Sequence, residues 1–319
     1  MRRRNPLPYL WMLLGTFAFA VMAVLINELK EEVPWQWIAL ARSSLAMIFG
    51  AGLVMAAGAK FVFLRPRTIW MRSLAGSISL LCGFFAMTHY DVSVVLTLTN
   101  MYPLWVAVLS WPLMGEAPST DTWIAAVVGV LGVAVLSLGS PPPGSSVAIS
   151  VSEVAGTTGY SGTIAILASI VSAMMSAVAL IGLHKLHAID SRAVVTHFSF
   201  VSTMGCLGAI GVVAFTHPSV TSLGLPPSAT PATLLMLLCV GIAATTGQLF
   251  LTKAFTTGSP SRISVIGLAQ TAFTMLFQVF LHNQRFSATT LAGMALIVAP
   301  TAWVLLRGRA VADEPDPPT

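Results

Sequence analysis

The stretch "WQWIALARSSLAMIFG", residues 35–50, carries a single charge, Arg42, in an otherwise apolar run. A charge at the centre of a lipid-embedded helix costs about 2.5–3.5 kcal/mol on insertion scales. Snorkelling along the side chain relieves part of that cost, but the run stays apolar on both sides of Arg42. Arg42 is therefore expected to face the interior of a helix bundle. Two readings stand there: a structural arginine bonded to freed carbonyls, or a forked donor offered to a carboxylate or phosphate. No acidic residue is evident at matching depth to neutralise it.

Other polar residues fall at helical spacing. Gln270, Thr274 and Gln278 stand at i, i+4 and i+8, one continuous face. Thr245, Gln248 and Thr252 stand at i, i+3 and i+7, and His197 lies near Ser199. Polar side chains in membrane helices either bind helices together or line a pathway, and both readings apply to the glutamine face. Ser169, Ser172 and Ser176 are small enough that close helix packing is the better reading.

A third group lies in "LTLTNMYPLWVAVLSWPLMGE", residues 96–116. Pro103 cannot donate to a helix ladder, so a kink is expected there, with Asn100 one turn before it. Membranes tolerate freed carbonyls only beside protein or a wet cavity. Tyr102 and Trp105 could stack on a flat substrate or serve ordinary packing, and Tyr90 lies near the same kink. Gly115 allows a tight turn, and Glu116 is either a solvated loop carboxylate or a clamp between two helices. Pro300 joins Pro103, Gly115 and Glu116 as a kink or gating position.

The substrate-binding candidates are thus Arg42, Tyr90, Asn100, Tyr102, Trp105, His197, Gln248, Gln270, Thr274 and Gln278. No catalytic residue, metal site or cofactor is expected. Cys82, Cys206 and Cys239 are odd in number and none sits in a pattern with histidine, so they read as inert thiols. There is no G-x-x-x-x-G-K-[ST] loop, and ATP hydrolysis is not expected of this chain. Glu28, Asp91, Glu116 and Asp121 all lie near segment ends. His197 is the one good intramembrane titratable group, which favours exchange or export over tight proton coupling.

The elements that must hold these residues follow from composition. The chain has 319 residues, is 56% hydrophobic and 8% charged, with a mean hydropathy of +0.85. Soluble domains carry about 25% charged residues. So few charges cannot cover a water-facing surface, and the solvent must be largely lipid. A spanning helix needs about 20 mostly apolar residues. Ten such stretches can be drawn, near 7–28, 33–58, 69–88, 93–113, 120–139, 162–183, 192–215, 232–252, 262–282 and 287–306. None alternates as a barrel strand would. The first resembles a signal peptide in its basic start, but its apolar run is too long and lacks a clear cleavage site, so it reads as a retained helix.

Basic residues orient the helices. With a cytoplasmic N-terminus, the inside segments hold Arg2, Arg3, Arg4, Lys60, Arg65, Arg67, Arg72, Lys185, Arg192, Lys253, Arg262, Arg307 and Arg309, against Lys30 and Arg285 outside. Both termini are then cytoplasmic in a multi-pass plasma (inner) membrane protein. The basic isoelectric point, about 9.4, is explained by this topology and not by nucleic acid.

The chain also repeats itself. The segment from Tyr102, "YPLWVAVLSWPLMGEAPSTDTW", and that from Gln270, "QTAFTMLFQVFLHNQRFSATTL", share one layout at a shift of 168. At a shift of 165, Gly76 falls on Gly241 and Tyr90 on Phe255. The expected units are a first five-helix repeat over 1–139, an extracytoplasmic linker over 140–161, a second repeat over 162–308 and a disordered tail over 309–319. Five spans per unit invert the second against the first, an arrangement common in secondary transporters, with the site near the midplane between them.

Five plus five spans, an arginine in span 2 ("IALARSSLA") and a Pro…Gly-Glu signature closing span 4 resemble the EamA-type branch of the drug/metabolite transporter superfamily. The resemblance covers residues 10–308. It implies an all-α integral membrane protein, ten transmembrane helices in two inverted five-helix repeats around a central cavity. It also implies transport of small metabolites. The second unit departs from the pattern, with "HNQ" where the first has Gly-Glu. The expected function is secondary transport of small organic metabolites, amino-acid-like or otherwise bearing an anionic group, by alternating access, as export or exchange. The rivals are an intramembrane enzyme and a receptor or structural subunit. The partners expected are a small-molecule substrate and the lipid bilayer, with homo-oligomerisation left open.

Overall fold

The computed structural model describes residues 6–29, 32–33, 35–90, 92–115, 117–139, 160–216, 230–282 and 288–313, with some side chains inside the helices, including that of Gln278, left undescribed. Among the described residues there are twelve helices: α1 Leu7–Leu29, α2 Trp35–Ala56, α3 Arg67–His89, α4 Val92–Thr99, α5 Tyr102–Met114, α6 Thr120–Gly139, α7 Tyr160–His184, α8 Ser191–Thr216, α9 Pro231–Thr257, α10 Pro260–Gly267, α11 Ala269–His282 and α12 Ala288–Asp313. No strand occurs among them. Among the described residues seven segments are long and apolar enough to cross a membrane, while Thr120–Val135 and Leu291–Val304 are shorter apolar helices. The last helix reaches Asp313, past the boundary expected at 308.

Local chemistry sets several boundaries. Thr230 caps α9 by accepting from the Thr233 N–H at 3.2 Å, with Pro231 in the first turn. Pro260 opens α10 in the same position. Gly115 ends α5 in the left-handed region, φ 73°, its N–H donating to Trp111 O at 2.8 Å.

Two stretches expected as single spans are broken in two. The segment 93–113 divides at Asn100–Met101 into α4 and α5, and 262–282 divides at Leu268 into α10 and α11. Pro103 therefore does not kink a continuous span. It sits in the first turn of α5, where its missing N–H costs nothing. The interior prolines are Pro112 in α5 and Pro300 in α12.

The long helices pack in a regular pattern. α1 lies on α9 and α3 on α7, α2 lies on α8, and α6 on α12. α3 also touches α8, as α2 touches α9. One apolar cluster gathers Met12, Ile69, Leu183, Phe255 and Ile266 from five helices. A second, around Phe19, Leu29, Ile38 and Val240, joins α1, α2 and α9.

Candidate functional site

A cavity of about 370 Å³ opens between the helices, and every described helix except α6 and α12 contributes to its wall. The contributing faces have helical spacing. α3 presents Arg72, Gly76, Ser79 and Gly83 at i, i+4, i+7 and i+11. Met12, Thr16 and Phe19 of α1 and Ser172, Ser176 and Ala179 of α7 each follow the same i, i+4, i+7 pattern. The helix breaks supply the rest: Thr99 and Tyr102 flank the first, Gly267 and Gln270 the second.

Arg42 and Arg72 dominate the chemistry of the wall. Arg72 is buried, with 3% of its surface exposed. Its Nη2 donates to Gln248 Oε1 at 3.2 Å, and its guanidinium carbon lies 3.9 Å from the centroid of the Phe198 ring. Cation–π contact of this kind contributes about 0.5–2 kcal/mol. Gly76 makes the arrangement possible. A Cβ there would stand 2.6 Å from Arg72 Nη1 and 2.8 Å from Phe198 Cε2. Arg42, from α2, is partly exposed and lines the same cavity. Among the described residues its guanidinium makes no hydrogen bond or ion pair, and the Nε atoms of both arginines are buried without a partner. Among the described residues no aspartate or glutamate lines the cavity.

Hydroxyl groups complete the wall and stitch its helices together. Ser79 Oγ donates to Ser172 O at 2.9 Å and lies 2.7 Å from Ser176 Oγ, while Ser172 Oγ donates to Ser79 O at 2.8 Å. The serines of α7 thus both pack and line. Tyr102 donates its hydroxyl to Ser264 O at 3.2 Å, reaching from α5 to α10. Gly267 leaves room for that hydroxyl, which a Cβ would overlap.

The structure gathers Arg42, Tyr102, Gln248 and Gln270 on the cavity. The other sequence candidates whose side chains are described lie elsewhere. Asn100 spends its amide on Leu96 O at 2.8 Å, closing the end of α4. Tyr90 caps α3 through its N–H to Ala86 O. Trp105 packs beside Val106, Ala177 and Ile181. Thr274 returns its hydroxyl to Gln270 O at 2.9 Å. His197 is buried against α3 and does not line the cavity, with Nδ1 2.8 Å from Ser73 Oγ and the Trp70 ring edge-on at 4.8 Å. Glu116 and the side chain of Gln278 lie outside the described residues.

Arg72 is the residue that sequence reasoning misplaced. Counted among cytoplasmic charges because of its neighbours Arg65 and Arg67, it points instead into the bundle. The i, i+4, i+7, i+11 run of Arg72, Gly76, Ser79 and Gly83 was the signal that could have found it. Among the described residues no group of three or more His, Cys, Asp or Glu side chains could hold a metal.

The described residues form a bundle of long apolar helices around a polar cavity, the build of a multi-pass membrane protein. The chain is a member of the EamA-like transporter family, whose model matches it twice, over residues 6–138 and 162–306. It is 26% identical over 286 residues to the pseudopaline exporter CntI of Pseudomonas aeruginosa strain UCBPP-PA14, covering 89% of this chain and 91% of the relative. An uncharacterized transporter of Helicobacter pylori is 25% identical over 227 residues, covering 71% of this chain and 69% of that one. A crystal structure with 17% sequence identity superposes with a TM-score of 0.72, covering 94% of this chain and 97% of that one, which shows the shared fold. These likenesses point to a transporter and not to an enzyme.

Proposed function

We propose that this protein is a secondary transporter that moves a small organic solute bearing an anionic group, by alternating access, as an exporter or exchanger. The observation that carries the reading is the cavity with Arg42 and Arg72 on its wall and no carboxylate among its described lining residues. Guanidinium forks bind carboxylates and phosphates through paired, charge-assisted hydrogen bonds. The export direction draws support from the relative named as a pseudopaline exporter.

The architecture proposed is ten spans in two inverted units, the broken pairs α4/α5 and α10/α11 each counting as one span. Its support is arithmetic. α4 starts at Val92 and α10 at Pro260, 260 − 92 = 168; α6 starts at Thr120 and α12 at Ala288, 288 − 120 = 168. The cavity residues Thr99 and Gly267, and Tyr102 and Gln270, are separated by the same 168. The packing pattern also survives exchange of the units: α3 on α7 answers α9 on α1, and α3 on α8 answers α9 on α2. Each unit of five spans leaves the membrane on the side opposite its entry, so the second is inverted. Without the buried Arg72, twelve basic residues against two still favour cytoplasmic termini in the inner membrane.

The test is the purified protein in liposomes, screened by ligand-induced thermal stabilisation and then by transport. A carboxylate- or phosphate-bearing metabolite should both stabilise and be moved, with flux accelerated by substrate on the opposite side. A neutral or cationic solute as the dominant substrate would overturn the reading.

A further inference from the structure

We propose that the cavity takes a solute carrying two negative charges, one for each of Arg42 and Arg72. This rests on the reading of the cavity as the transport site and goes further by setting the charge of its ligand.

The two arginines converge on shared neighbours. Arg72 bonds Gln248 and lies over Phe198. Arg42 borders both of those residues in a small recess that adjoins the main cavity. Two like charges are thus brought together from α2 and α3 in a region bounded by lipid-embedded helices. Like charges at close range repel, and the repulsion grows as the local dielectric falls. No carboxylate among the described lining residues offsets it. The ion pair recorded among the described residues, Arg192 with Asp190 at 3.8 Å, stands at the start of α8, away from the cavity wall.

The protein compensates Arg72 only in part. Gln248 occupies one of its nitrogens and Phe198 one of its faces, while Nε remains buried and unpartnered. Arg42 has no hydrogen-bonding partner among the described residues, and its Nε is buried too. A buried donor left without an acceptor is costly. Both guanidinium groups therefore carry donors that await an acceptor. A monoanion would neutralise one charge and leave its neighbour exposed to low dielectric. A dianion closes the balance, since +2 meets −2. Gln270, Ser79 and Ser176 add neutral groups that can orient the uncharged part of such a solute. The volume suits a small one. A dicarboxylate and a phosphate share the chemistry required.

The experiment holds skeleton and size fixed while charge changes. The full chain in detergent at pH 8 is titrated with succinate, its monoamide succinamate and its diamide succinamide, followed by thermal unfolding. Inorganic phosphate, doubly charged at that pH, and nitrate form a second arm at matched ionic strength. Succinate or phosphate should stabilise at a concentration roughly tenfold or more below succinamate or nitrate, the gain of one further charge-assisted contact. The arm that responds more strongly separates a dicarboxylate from a phosphate ligand. Arg42→Gln and Arg72→Gln should each erase most of that discrimination. Equal binding of succinate and succinamate, with phosphate no better than nitrate, would overturn the two-charge inference while leaving an anion site. Stabilisation by no anion in either arm would overturn both this inference and the anion-transport reading. Unchanged discrimination in either folded variant would overturn that arginine's part in it. Should a variant fail to fold, the comparison among ligands of the parent protein decides alone.

Discussion

Helices α1–α6 and α7–α12 use one plan for structure and two for chemistry. Gly76 of α3 and Gly241 of α9, 165 residues apart, do the same job. A Cβ on the first would press on Phe198 of α8, and a Cβ on the second would stand 2.5 Å from Leu45 Cβ of α2. The short helices α4 and α10 match in length and position along the chain. The cavity-lining polar groups do not match. The first set brings two arginines, and the second brings only neutral groups, Ser172, Ser176, Gln248 and Gln270. At the 165 shift, Arg72 falls on Leu237, an apolar residue packed beside the Phe19 cluster. Under the alternating access proposed above, equivalent scaffolds would exchange roles, whereas the two arginines belong to one scaffold only. The difference suggests that repetition serves the movement and asymmetry serves recognition.

The largest effect should come from removing a charge that has no counterpart. Arg42→Gln should lower transport by roughly 10- to 100-fold, the value of one or two hydrogen bonds to a charged group. Arg42→Lys, which keeps the charge but loses the fork, should recover part of it. Reconstituted flux measures both, with the membrane-inserted yield as control. Full activity in both variants would break the asymmetry as a basis for recognition.

The glycines test the symmetric side. Gly76→Val and Gly241→Val should each destabilise by about 1–3 kcal/mol through overpacking, read as a lower melting temperature. Only Gly76→Val should also impair anion binding, because its side chain would displace Arg72. A silent Gly241→Val would end the equivalence of the two close approaches.

A smaller loss is expected at Ser79, whose hydroxyl joins α3 to α7. Ser79→Ala should cost about 1 kcal/mol, the usual value of an intramolecular hydrogen bond. Thermal unfolding in detergent reports it. The least effect should follow His197→Gln, since His197 bonds Ser73 away from the cavity and an amide can keep that bond. Its transport rate and pH profile should match those of the parent. A flattened pH profile would instead give the second set of helices a titratable role.

Much of the molecule was legible in the residues because the membrane simplifies the reading. Apolar runs of spanning length had to be helices, since lipid offers the backbone no other partner. The 168 shift found at Tyr102 and Gln270 also relates the two helix breaks, although both stretches were expected as single spans. Arg42, Tyr102, Gln248 and Gln270 stood out by polarity against an apolar background, and all four reach the cavity. The same criterion also selected Asn100, Thr274 and His197, because polarity alone does not reveal whether a neighbour consumes it. Leu96 O and Gln270 O do so here, and Ser73 Oγ takes one ring nitrogen of His197.

The chain by itself therefore determined that the solvent is lipid, that the elements are helices and that a layout recurs within it. Those properties are sums over many residues and survive local error. Only the tertiary structure decided that Arg72 is no loop charge, that Pro103 begins a helix instead of bending one, and that two arginines share one cavity. Each of these depends on which faces meet across helices far apart in sequence, as when Arg72 finds Gln248 176 residues away. Hydropathy and spacing along one helix contain no record of its neighbours.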